Sequence, residues 1–130
     1  EKLFAKGFKI TIAVKDRPII NDALVSDAYI AGLDTYGEII SNGTGCPGTV
    51  LSEVSPRFLD IYDNAELIIS KGQGNFEGLS EVKREMFFLL TVKCEAAAKH
   101  LQEISGCEKA TLKGLGEMAV FHSCTRPNFS

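Results

Sequence analysis

Short apolar runs alternating with stretches of helical spacing predict an α/β layered domain around a mostly parallel sheet. Two observations carry that prediction. Five apolar, β-branched runs recur along the 130 residues, and several are continuous rather than alternating, as strands buried on both faces are. Between them, apolar residues return at helical intervals. Hydrophobic residues at 45% and charged residues at 24% place the chain among globular proteins rather than disordered ones. No internal repeat, low-complexity tract or linker marks a second domain, so residues 1–130 read as one.

The elements follow in order. Leu3 and Phe4 ahead of Lys6-Gly7 read as the last turn of a helix with its glycine stop. The chain is therefore expected to open at the end of an element that starts upstream, and to be an incomplete domain. Lys9 to Val14 (KITIAV) reads as the first strand, and Ala23, Leu24, Ala28, Ala31 and Leu33 as one face of a short helix. Glu38 to Ser41 is the second strand; Phe58, Leu59, Ile61 and Tyr62 mark the next helix. Asp63-Asn64-Ala65-Glu66 reads as a turn into the strand Glu66 to Ser70. Phe87 to Val92 (FFLLTV) follows, with Phe87 and Phe88 as core residues. Cys94 to Ile104 spaces Ala97, Ala98, Leu101 and Ile104 as a helix that stops at Gly106, and Met118 to Phe121 is the last strand.

Charge excludes some functions. Fourteen Lys and Arg against 17 Asp and Glu leave a net charge of −3, which offers no basic footprint for nucleic acid or an anionic membrane. No apolar run approaches the ~18 residues of a membrane span. The four cysteines have no CxxC or zinc-type spacing, which reads as reduced thiols in an intracellular, cytoplasmic protein, with a Cys107–Cys124 disulfide as the alternative. Cys94 closes an apolar run and reads as a small buried hydrophobe. Cys46 lies in a candidate loop with no histidine near it in sequence, and His100 and His122 read as ordinary packed or surface histidines.

In an open parallel sheet, ligands bind beyond the carboxyl ends of the strands, so three turns carry the chemistry. After Val14 comes KDRPIIND, where Asn21 and Asp22 read either as caps of the next helix or as functional groups. After Ser41 comes NGTGCPG, whose glycines suit a close backbone approach to a ligand and any tight surface loop alike. After Ser70 comes KGQGNFE. A lysine at a strand end, followed by glycines and by Gln, Asn and Glu, reads as an anion cradle or, equally, as a glycine-rich connector. It is neither a Walker A loop nor the GxGxxG fingerprint.

RPIIND (Arg17 to Asp22), SDA (Ser26 to Ala28), ISNGTGCPG (Ile40 to Gly48), AELIISKGQGNFEGL (Ala65 to Leu79) and FFLLTVKC (Phe87 to Cys94), in that order, resemble the DUF89 family, the damage-control phosphatases. The similarity runs from about residue 1 to residue 122. It implies a three-layer α/β/α, Rossmann-like fold with a mostly parallel sheet, and metal-dependent hydrolysis of phosphomonoesters such as sugar phosphates or phosphopantetheine-type metabolites. The implied cofactor is a divalent metal: manganese, nickel, cobalt or magnesium. By position, Asp22 matches a metal-ligand aspartate and Lys71 the phosphate clamp, both with catalytic roles. Asn21, Asn42, Gly43, Gly72, Asn75 and Glu77 are the remaining substrate-site candidates. Asp27 is the rival carboxylate, but five residues beyond Asp22 it does not share a helix face with it.

The family's first metal ligands come from an Asp-Asn pair upstream of the helix that closes at Gly7. The chain is therefore expected to be the C-terminal portion of a single phosphatase domain, partnered by a missing N-terminal segment and inactive alone. The alternative is a non-catalytic module that binds a phosphorylated metabolite.

Overall fold

The structure, a computed structural model, describes residues 1–106 and 112–125. Cys107, and with it the expected alternative pairing to Cys124, lies outside them. The chain divides into two compact units, Glu1–Pro47 with Leu51–Asn64, and Gly48–Val50 with Ala65–Ser130.

The first unit contains α1 (Lys2–Ala5), β1 (Thr11–Val14), α2 (Val25–Ile30), a 3-10 turn (Leu33–Thr35), β2 (Glu38–Ser41) and α3 (Pro56–Asn64). β1 and β2 pair in parallel from Thr11 opposite Glu38 to Val14 opposite Ser41. This is the strand, helix, parallel strand order that the alternation predicts. Ala28, Ile40 and Tyr62 are its buried apolar residues. Asp63 and Asn64 belong to the last turn of α3, not to a separate turn as expected. The Asn64 side-chain Nδ2 donates to the Asp60 carbonyl at 2.8 Å, folding the side chain back over the end of the helix.

The second unit contains β3 (Ile69–Lys71), α4 (Gln73–Leu79), β4 (Phe87–Val92), α5 (Glu95–Ser105), β5 (Glu117–His122) and a 3-10 turn (Ser123–Thr125). Its sheet has the order β3-β4-β5, with β3 parallel to β4 and β5 antiparallel to β4. The mixed α/β class with parallel pairing is borne out, and the reversed last strand is the departure. Phe76, Met86, Phe88 and Val92 are wholly buried. The Phe76 ring meets Phe88 and Phe121 edge-on, with centroids at 5.4 and 6.4 Å.

Two sequence readings need correction here. Phe88 is core as expected, but Phe87 is only half-buried, because successive side chains of β4 point to opposite faces. On the face that carries Phe87, Ile69, Leu89, Met118 and Val120 are exposed. β4 is apolar on both faces, yet among the described residues of this unit only the Phe88 face is covered. Cys94 is exposed instead of buried: it is the N-cap of α5, where its Sγ accepts from the Ala97 amide at 3.5 Å.

α4 was also illegible as a helix. Glycines at 74 and 78 each cost about 1 kcal/mol in a helix interior. Burial of Phe76 and Leu79 outweighs that cost, so KGQGNFE is a strand-to-helix junction rather than a loop.

Candidate functional site

In the first unit the site residues gather at the carboxyl end of β1. Lys15, directly after β1, is only 7% exposed, and its ammonium donates to the Cys46 carbonyl at 2.8 Å. Burial holds its pKa below the ordinary lysine value, and the negative charge of Asp22 offsets part of that shift. The Asp22 amide donates to the Ile19 carbonyl at 3.0 Å and closes a tight turn. Within this turn Ile20 has a φ of 51°. A β-branched residue in the left-handed region is strained, and such strain tends to persist where the surroundings impose it for function.

Asn21 and Asp22 are exposed and stand ahead of α2 without capping it. α2 starts at Val25, and its free amide at Leu24 is taken by Asp27 at 2.8 Å. The rival carboxylate is thereby the helix's own cap, and Asp22 carries no capping duty. The neighbouring Asp16 accepts from the Ser41 hydroxyl at 2.8 Å and pairs with Arg17 at 3.5 Å.

Asn42 and Gly43 open the loop after β2. Asn42 is buried, and its Oδ1 accepts from the Thr44 amide at 3.1 Å, while its backbone carbonyl accepts from Ser55 at 2.9 Å. The Gly43 amide donates to the Ser41 hydroxyl at 3.0 Å. Both residues are engaged in shaping the loop.

In the second unit Lys71 ends β3 with an exposed side chain. Gly72 follows at a φ of 100°, a conformation that side-chain-bearing residues rarely adopt, and its amide donates to the Leu89 carbonyl at 2.8 Å. Asn75 reaches back so that its Nδ2 donates to the Lys71 carbonyl at 2.7 Å, while its Oδ1 accepts from the Thr49 hydroxyl at 2.7 Å. Lys71, Gly72 and Asn75 are thus brought together at one strand end. Glu77 is engaged within α4. It accepts from Gln73 at 2.8 Å and lines a cleft of about 390 Å³ between α4 and α5, with Ser80, Glu81 and His100. His100 is packed as expected, against Phe76 and with its Nε2 2.8 Å from the Ser80 hydroxyl.

Sequence reading missed two contributors. Lys15 had a signal, since a lysine that directly follows an apolar strand stands at the ligand-binding edge of a parallel sheet. Thr49 had none, because its partner is 26 residues away.

Of the groups at the β1 end, an exposed, uncapping carboxylate is the donor a hard dication takes. Asp22 is an exposed carboxylate of that kind.

Comparison with known proteins gives these residues a context. The damage-control phosphatase ARMT1-like domain matches residues 1–107, a shorter span than the resemblance of the motifs, which runs to about residue 122. The chain is 48% identical over 99 residues to a damage-control phosphatase of Pyrococcus horikoshii, covering 75% of this chain and 34% of the relative. A damage-control phosphatase of Archaeoglobus fulgidus is 38% identical over 95 residues, covering 72% of this chain and 33% of the relative. The crystal structure of a DUF89 family protein from P. horikoshii matches at 48% identity with a TM-score of 0.70, over 72% of this chain and 33% of that one. The chain spans about a third of the length of the curated relatives it matches.

Proposed function

The chain belongs to the damage-control phosphatase ARMT1-like family, and from that premise we propose that it is part of a metal-dependent phosphatase acting on small phosphorylated metabolites. Sugar phosphates and phosphopantetheine-type monoesters are the substrate class. The observation that carries the reading is the state of Asp22. It sits in a strained turn beyond β1, exposed, relieved of capping by Asp27, and within electrostatic reach of the buried Lys15 ammonium.

Asp22 is the metal ligand that this chain supplies, for manganese, nickel, cobalt or magnesium. Such a dication, when bound, polarises the phosphoryl group and lowers the pKa of a bound water. Lys71 clamps the phosphoryl oxygens as a point charge. Asn75 fixes the Lys71 backbone through the carbonyl it binds, and Gly72 leaves room beside it. Asn21 borders the Asp22 turn, while Asn42 and Gly43 set the form of the neighbouring loop. Glu77, bound by Gln73, braces the first turns of α4. In the overall reaction water adds to phosphorus, the ester P–O bond breaks, and the departing alcohol takes a proton.

The remaining metal ligands come from a segment upstream of Glu1 in the same polypeptide, in keeping with a chain that spans a third of its relatives' length. The exposed apolar face of the second unit's sheet gives such a segment a surface to cover. No helix of the described residues is long and apolar enough to cross a membrane, and a cytoplasmic setting suits the substrate class.

The test is hydrolysis of a phosphomonoester panel by the intact protein with each of the four metals. Turnover abolished by chelation and restored by metal supports the reading. Turnover that survives chelation overturns it, as does metal-insensitive binding of a sugar phosphate without turnover, which identifies a binding module.

A further inference from the structure

A second cluster of ligand atoms lies elsewhere in the second unit, where β4 begins and β5 ends. Glu85, His122 and Cys124 each offer one donor atom, a carboxylate oxygen, a ring nitrogen and a thiol sulfur, and the three atoms lie within 4.8 Å of one another. His122 Nε2 is 2.9 Å from Glu85 Oε1. Around a tetrahedral zinc-sized ion, donors of these types stand roughly 3.3–3.7 Å apart. The 4.8 Å bound on the three atoms lies close to that spacing.

The backbone on both sides is fixed. Ser123, 1% exposed, stitches the two segments together. Its hydroxyl accepts from the Met86 amide at 2.9 Å and donates to the Arg84 carbonyl at 3.0 Å, and its amide donates to the Met86 carbonyl at 3.0 Å. Glu85 therefore lies between two residues bound to Ser123, and His122 and Cys124 flank Ser123 itself. The His122 ring is stacked on Phe87, with centroids 4.1 Å apart and planes 2° from parallel. A ligand set on a braced backbone with an oriented imidazole loses little freedom on binding an ion.

We propose that Glu85, His122 and Cys124 form a metal site for a borderline-soft dication of the zinc type. Its chemistry differs from that of the Asp22 turn. Thiolate and imidazole select zinc-like ions, whereas an isolated carboxylate suits magnesium or manganese. An ion there replaces the direct Glu85–His122 pair with bonds to both and pins the start of β4 to the exit of β5. Three protein ligands leave a fourth position for water. Two of the three ligands, His122 and Cys124, lie beyond residues 1–107, the part of the chain matched to the family.

The test is titration of the reduced, metal-free intact protein with Co²⁺, read as the thiolate-to-cobalt charge-transfer band, followed by Zn²⁺. The expected result is a band that saturates at one equivalent, is displaced by Zn²⁺, is lost in Cys124→Ser and persists in Asp22→Asn. Glu85→Gln, which keeps the side chain's shape, should weaken Co²⁺ binding by on the order of tenfold or more. The thermal midpoint of the wild type should rise with Zn²⁺ and that of Cys124→Ser should not. No band in the wild type overturns the proposal. A band retained in Cys124→Ser overturns it by assigning the thiolate to another cysteine, and a band lost in Asp22→Asn overturns it by moving the ion to the other site.

Discussion

Asn75 joins two segments through one side chain, and removing it should be measurable in two ways. Asn75→Ala deletes the bond to the Lys71 carbonyl and the bond from the Thr49 hydroxyl, both 2.7 Å. A hydrogen bond of this type contributes a net 0.5–1.5 kcal/mol, so the loss should be about 1–3 kcal/mol. Asn75 is half-buried, so water replaces part of each bond and the lower half of that range is expected. Thr49→Val keeps the shape of the side chain and removes one bond, costing about 1 kcal/mol. In a double-mutant cycle followed by denaturant unfolding of the intact protein, the two substitutions should couple by about 0.5–1 kcal/mol. Asn75→Ala should also lower kcat/KM, because the Lys71 backbone loses its tether, whereas Thr49→Val should lower it less. Coupling within about 0.3 kcal/mol of zero would refute the reasoning, since distant, independent sites are additive to about that accuracy.

Two further outcomes follow from the geometry. Gly48 has a φ of 69°, and a Cβ there would lie 2.2 Å from the Gly74 carbonyl oxygen. Gly48→Ala should therefore cost about 2–5 kcal/mol from left-handed strain and overpacking together, and a change under about 0.5 kcal/mol would contradict the packing described. Lys15 has a folded pKa held below the ordinary 10.5, chiefly by burial. Between the folded value and 10.5 the unfolded chain binds more protons, so this residue makes stability rise with pH across that window. Lys15→Met lacks the rise. The stability of the wild type minus that of the variant, measured by unfolding at a series of alkaline pH values, should increase with pH; a flat or falling difference would count against the burial.

Most of the secondary structure was legible because it follows local rules. Glu38–Ser41 and Phe87–Val92 are strands at the bounds their apolar runs suggest, and α5 stops at Gly106 in a left-handed conformation. What was illegible depends on partners distant in sequence. α4 owes its helix to burial of Phe76 against β4 and β5, and the reversal of β5 is set by its ladder with β4. The continuous apolar run FFLLTV predicts burial on both faces, but the covered face is the one carrying Phe88, Leu90 and Val92. As candidates, Lys71, Asn75 and Asp22 could be named from the motifs. The buried state of Lys15 and the capping duty of Asp27 could not, because a sequence does not state which amide a side chain will meet.

The measurement that bears most directly on the central claim is the kcat/KM of the intact protein and its Asp22→Asn variant on one phosphomonoester at saturating Mn²⁺. The unfolding midpoint of both should be recorded alongside. Asparagine keeps the shape of the turn and removes the charge that holds a dication. Metal assistance worth several kcal/mol corresponds to a loss of about a hundredfold or more, with the midpoint unchanged, and that is the result the account predicts. A variant within about twofold of the wild type would contradict the claim that Asp22 is a ligand of a catalytic metal.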